Sequence, residues 1–124
     1  MNIGETLEAR QPEDFAAWLA ANTGQKQEIW LIIYKKASGK QTVTYQQLVE
    51  VALCYGWIDS IMKSIDVEKS AQRFSPRRKR SNWTATNKAI ARRLIAEGRM
   101  TEAGRAALPD DLRQALKSDQ LLEP

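Results

Sequence analysis

Six consecutive apolar residues, Ile29-Trp30-Leu31-Ile32-Ile33-Tyr34, place the strongest constraint on how this chain folds. The run is rich in β-branched and aromatic types, and it reads as a core strand covered on both faces. The other segments must supply that cover. Upstream, residues 6–9 read as a short strand. A helix follows over 12–22, opened by Pro12 in first position, stopped by Gly24, and carrying Phe15, Trp18 and Leu19 on one apolar face.

Downstream, residues 35–41, centred on Ser38-Gly39, form a turn. Thr44-Tyr45-Gln46-Gln47 matches a capping box, in which the Thr hydroxyl and the Gln side chain satisfy each other's orphan backbone donors. The helix it opens runs to about Tyr55, burying Tyr45, Leu48, Val49, Ala52 and Leu53 and turning Gln46, Gln47 and Glu50 to water. Gly56 supplies a left-handed stop. Residues 57–65 then read as a strand with Trp57, Asp59, Ile61, Lys63 and Ile65 on one face, and 71–75 as its antiparallel partner, ended by Pro76.

Ser81 is the expected N-cap of a long helix ending near Glu97-Gly98. Helical spacing puts Trp83, Asn87, Ile90, Ala91, Leu94 and Ile95 on one side, with Lys88, Arg92 and Arg99 opposite. Thr101 caps a short helix to Leu108, and Pro109 opens a last one, with Asp110 and Asp111 at its dipole-favoured start. The expected class is α+β: a small, mostly antiparallel sheet packed with helices, and a helical C-terminal half. At 124 residues, a single domain is expected.

Composition narrows the chemistry. The chain has no histidine, which removes the Ser-His-Asp relay, the imidazole base and the commonest transition-metal ligand. Its one cysteine, Cys54, excludes an internal disulfide and any CxxC motif, and reads as a small core residue. Neither a metal nor a cofactor is expected. The opening MNIGETLEAR lacks a basic n-region and an apolar h-region, and no stretch approaches the ~18 apolar residues of a membrane span, so a cytoplasmic protein is expected.

The net charge of +4 is concentrated rather than spread. Residues 63–99 carry +8 and the two flanks together −4, and Arg77-Arg78-Lys79-Arg80 alone equals the whole excess. This asymmetry points to an anion-facing patch. Asp59, on a strand face with Trp57 and Ile61, needs a cation if it is buried, and Arg73 or Arg77 is the natural partner. A structural ion pair and a general base or ligand-binding acid both satisfy that pattern. The basic loop and the helix start at Ser81 would attract a phosphate, a carboxylate or an acidic protein segment, with Asn87 a further contact or a bond to a neighbouring loop. The candidate ligand-binding set is therefore Asp59, Arg73, Arg77, Arg78, Ser81 and Asn87. A nucleic-acid reading uses Arg80, Lys88, Arg92 and Arg99 instead, and a third reading makes Asp59 the base of an enzyme with arginine electrophiles.

At these residues the sequence resembles the bacterial bacteriocin-protection, OmpD-associated (YdeI-like) proteins. The likeness rests on Ala52-Leu53-Cys54-Tyr55-Gly56-Trp57-Ile58-Asp59-Ser60, on Arg73-Phe74-Ser75-Pro76-Arg77, and on Trp83, Asn87, Leu94-Ile95, Gly98-Arg99-Met100-Thr101 and Ala103-Gly104. Phe15, Trp18-Leu19, Ile29-Trp30-Leu31 and Thr44-Tyr45 extend it over residues 10–108. The resemblance implies a role in resistance to antimicrobial peptides or bacteriocins and an association with an outer-membrane porin, without a reaction. Together with the residue reading it leads to the expectation of a non-enzymatic, cytoplasmic binding or stress-protection protein with an anion-accepting site.

Overall fold

The run 29–34 is the second strand, β2 (Ile29–Tyr34), of a four-stranded sheet. The computed structural model describes residues 2–40, 42–78 and 82–122, the last six by backbone only. The sheet order is β1-β2-β4-β3, with β1 at Thr6–Leu7, β3 at Trp57–Ser64 and β4 at Lys69–Pro76. β1 lies parallel to β2, while β2–β4 and β4–β3 are antiparallel. Among the described residues five α-helices accompany them: α1 (Pro12–Asn22), α2 (Tyr45–Cys54), α3 (Ala85–Ala96), α4 (Glu102–Ala106) and α5 (Asp110–Leu122). The class is α+β, and everything after residue 84 that is regular is helical.

Residues paired across antiparallel strands share a face. On one face stand Ile29, Leu31, Phe74 and Trp57, against which α1 and α2 pack Phe15, Leu19, Leu48 and Ala52. Phe15 and Phe74 meet with ring centroids 5.1 Å apart. The opposite face carries Trp30, Ile32 and Ala71, covered by Ile3 of the N-terminal segment. β2 is thus covered on both faces, as its composition demands, but by a helical layer on one side and by an arm of chain on the other.

The capping box is formed in both directions. The Gln47 amide N–H donates to Thr44 Oγ1 at 3.1 Å, and the Thr44 N–H donates to Gln47 Oε1 at 3.0 Å. Two positions on α2 depart from the helical pattern. Tyr45 is 43% exposed, whereas Glu50 is largely covered by Arg93 and Arg99.

Two further expectations give way to local geometry. The strand face expected through Trp57, Asp59, Ile61, Lys63 and Ile65 breaks at a bulge: Asp59 pairs with Phe74 but Met62 with Gln72, so one extra residue lies between them. From there the alternation inverts. The long helix begins at Ala85 and not after Ser81, since Thr84 is its N-cap and accepts from the Asn87 N–H at 3.0 Å. Ser81 itself lies outside the described residues, with Lys79 and Arg80.

α4 is docked on the end of α2. The Thr101 N–H donates to the Cys54 carbonyl at 3.1 Å, the Thr101 hydroxyl donates to the same oxygen, and that hydroxyl accepts from the Gly104 N–H at 3.1 Å. One threonine therefore closes α2 and opens α4.

Candidate functional site

A cleft of about 820 Å³ opens where the ends of several elements converge: the turn after α1, the α2–β3 turn, the end of β4, and the α4–α5 corner. Each wall has a local cause. Gly56 adopts φ 77°, which reverses the chain from α2 into β3, and a Cβ there would stand 2.9 Å from the Ala103 carbonyl oxygen and 3.0 Å from the Ala107 Cβ. Pro76 ends β4, and the following Arg77 N–H donates to the Gly56 carbonyl at 2.9 Å, so the basic segment leaves the sheet beside that turn. Pro109 and Asp110 begin the last helix and form the far wall.

The lining mixes apolar and polar groups: Gly56, Trp57 and Leu108 are buried, and Tyr55, Ala103 and Ala107 half-buried. Trp57 is held in place edge-on by Trp18, with centroids 5.7 Å apart. The charged members are Lys26, Arg77, Arg78, Arg113 and one carboxylate, Asp110. Arg113 is ion-paired with Asp110, and Lys26 lies 3.4 Å from Glu5.

Arg77 is the chemically distinctive member. Its guanidinium carbon lies 3.9 Å from the centroid of the Trp83 ring, a cation–π arrangement, and the side chain is half-buried. Burial pulls its pKa below the usual arginine value, and the negative charge of Asp59 partly offsets that. Trp83 is anchored in turn, packing against both the Leu53–Leu94 cluster and the Ala91–Leu108–Leu112 cluster. An arginine in a cleft wall is the side-chain type that receives carboxylate or phosphate oxygens in a fork. Among the described residues no group of three or more Cys, Asp or Glu is placed to hold a metal ion.

The structure brings together part of the set expected from sequence and separates the rest. Arg77 and Arg78 line the cleft. Asp59 does not line it: its carboxylate accepts a hydrogen bond from the Tyr45 hydroxyl on the helical face of the sheet. Burial, reinforced by that bond and by the Asp59 charge, pushes Tyr45 up to about 12. Arg73 is not the partner of Asp59. It occupies the opposite face, where its Nε donates to Glu28 at 2.6 Å and its Nη1 to Ser60 at 3.3 Å, because strand alternation separates residues 73 and 74. The arginine–carboxylate constellation of the enzymatic reading is therefore not assembled from Asp59 and Arg73. Asn87 sits in the first turn of α3, outside the cleft lining.

The positive stripe of the nucleic-acid reading is broken up by acidic neighbours. Lys88 is bound to Asp111 at 3.2 Å and Arg99 to Glu50 and Glu97, each at 3.2 Å, while Arg92 is exposed and Arg80 lies outside the described residues. Arg93, on the same helix, bonds Glu50 at 2.7 Å.

Sequence reasoning missed the floor and far wall: Trp57, Ala103, Ala107, Leu108 and Arg113. Only Gly56 and the Ala103-Gly104 pair carried a signal, since a glycine beside an alanine within a helix marks a close approach. No helix among the described residues is long and apolar enough to cross a membrane.

No curated protein and no solved structure matches the chain. A family model described as a domain of unknown function, DUF8412, matches residues 7–107, from β1 through α4. It includes Arg77, Arg78 and Trp83 and stops before the α5 wall of the cleft. By that match, which spans most of its length, the chain belongs to the DUF8412 family of domains of unknown function.

Proposed function

We propose that this protein binds a small organic anion in the cleft bordered by Arg77 and Arg78, without catalysing its conversion. The observation that carries the reading is the half-buried Arg77 guanidinium lying 3.9 Å over the Trp83 ring in the wall of that cleft. Partial burial weakens solvent screening, so a ligand oxyanion there gains more than it would at an open basic surface. A cleft walled on several sides favours a small molecule over an acidic protein segment, which would suit a longer groove. Nucleic acid is the weaker reading, since Lys88 and Arg99 already have acidic partners. The setting we assign is cytoplasmic stress protection, in line with the resemblance to the bacteriocin-protection, OmpD-associated proteins. Partnership with a porin rests on that resemblance alone.

The test is a thermal-shift and calorimetric screen of anions, including inorganic phosphate, citrate and aromatic carboxylates, on the intact chain and on Arg77→Ala/Arg78→Ala. Hydrogen bonds to charged groups contribute about 1.5–3 kcal/mol, so the double variant should weaken any bound anion by at least about tenfold. Unchanged binding in the variant would place the site elsewhere.

A further inference from the structure

We propose, resting on the anion-binding reading above, that the ligand is a small anion carrying two or more separated negative groups, carboxylate or phosphate, and not a simple monocarboxylate. Five charged side chains line the cleft: Lys26, Arg77, Arg78 and Arg113 are cationic and Asp110 is anionic, for a net +3. Cations that converge on one concave surface repel each other, and the cleft focuses their field on whatever enters it. One carboxylate offsets a third of that excess. Two or three negative charges come close to matching it.

Where the four cations stand matters as much as their sum. Arg77 and Arg78 follow the end of β4, Lys26 lies in the turn after α1, and Arg113 belongs to the start of α5, so positive charge enters the cleft from three separate segments. At about 820 Å³ the cleft is far larger than one oxyanion, and a single carboxylate held at Arg77 leaves the other walls unmatched. The partners that Lys26 and Arg113 already have are weak competitors. Lys26–Glu5 and Arg113–Asp110 are exposed on both sides, and exposed ion pairs contribute little, so a ligand oxyanion can displace either carboxylate. Tyr55, Thr23 and Gln27 add groups able to hydrogen-bond, which suits a ligand whose body bears hydroxyl or carbonyl groups between its charges.

The experiment is isothermal titration of the full chain, at fixed ionic strength, with tricarballylate, 3-phosphoglycerate and butyrate: a polycarboxylate, a phosphate ester that also bears a carboxylate, and a single carboxylate. It is repeated on Arg77→Gln, on the exposed cleft cations as Lys26→Gln and Arg113→Gln, and on Arg92→Gln, an exposed cation outside the cleft. We expect the tighter of the two multivalent probes to bind at least about tenfold more tightly than butyrate. It should lose about tenfold in Arg77→Gln, about threefold or more in at least one of Lys26→Gln and Arg113→Gln, and nothing in Arg92→Gln. Which multivalent probe is the tighter tells whether the ligand's groups are all carboxylates or include a phosphate. If butyrate binds as tightly as both multivalent probes and Arg77→Gln weakens all three, the anion site stands and the multivalent assignment falls. Multivalent binding unchanged in both Lys26→Gln and Arg113→Gln, or reduced equally in Arg92→Gln, overturns that assignment as well. Absence of binding by all three probes, or binding indifferent to Arg77→Gln, overturns the anion reading itself.

Discussion

Gly104 of α4 lies directly against the carbonyl oxygen of Cys54 at the end of α2, so that a Cβ at Gly104 would stand 2.2 Å from that oxygen and 2.5 Å from Met100 Sδ. A backbone oxygen already held by Thr101 cannot move aside. In an ordinary helix, replacing Gly by Ala stabilises by about 0.5–1 kcal/mol, whereas here overpacking should win and Gly104→Ala should destabilise by about 2 kcal/mol or more. Gly98 is the control. It has φ 73° with nothing within 4 Å of an added Cβ, so Gly98→Ala bears only the left-handed cost of about 1 kcal/mol. Urea denaturation of both variants checks the order. If Gly98→Ala were the more damaging, the close docking of α4 on α2 would be wrong.

Glu50 ties α2 to the end of α3, bonding Arg93 at 2.7 Å and Arg99 at 3.2 Å with only 15% of its side chain exposed. Burial pushes its carboxyl upward, but the Gln46 amide and the two guanidinium groups outweigh that and hold it below the usual carboxylate value. A carboxyl depressed in the folded state contributes stability that is present above its unfolded pKa and is lost as pH falls through the folded one. Glu50→Gln should therefore cost about 1–2 kcal/mol at pH 7 and low salt. The difference should be smaller at pH 3 than at pH 7, shrinking as pH falls through the depressed folded value. Equal losses at both pH values would mean that the pairing charge is not what matters.

Tyr45 gives the opposite sign. Its hydroxyl donates to Asp59, and burial together with that carboxylate raises it to about 12. A raised acid contributes stability below its unfolded pKa of about 10, and that contribution is lost as pH rises from there through the folded value. Spectrophotometric titration of tyrosinate should show one step near 12 that is absent from Tyr45→Phe. The variant's stability should also decline less steeply between about pH 10 and pH 12 than the parent's.

Arg73 separates the two faces of the sheet in a binding assay. Its 2.6 Å bond to Glu28 lies on the face away from α1 and α2, and its side chain is only 22% exposed. Arg73→Gln should lower stability by about 1 kcal/mol and leave anion binding unchanged, whereas Arg77→Gln should weaken anion binding. Loss of binding in Arg73→Gln, with folding intact, would put the anion site on the wrong face.

The elements themselves were legible because each rests on local chemistry. The six apolar residues of β2, the Thr44–Gln47 capping box, the left-handed Gly56 and the break at Pro76 all act within a few residues, and the structure has each where the sequence places it. Local reasoning failed where residue type favoured the wrong cap. Ser ranks above Thr as an N-cap, yet Thr84 caps α3, which packs Leu94 and Ala91 against α2 and the last helices.

The candidate site was half legible. Arg77 and Arg78 stood out as charge, but their grouping with Asp59, Arg73 and Asn87 rested on proximity in sequence, and a strand sends successive side chains to opposite faces. Which carboxylate takes Arg73 is decided by β2 bringing Glu28 alongside β4, a pairing of residues 45 positions apart. The cleft floor depends likewise on α4 approaching Gly56 closely enough for alanines to line it. The sequence by itself determined the class of fold, the capping box of α2 and the location of positive charge, because those follow from residue type and period. Only the tertiary structure decided which charges are neutralised and where a cavity is left, since both depend on contacts between segments that no local rule relates.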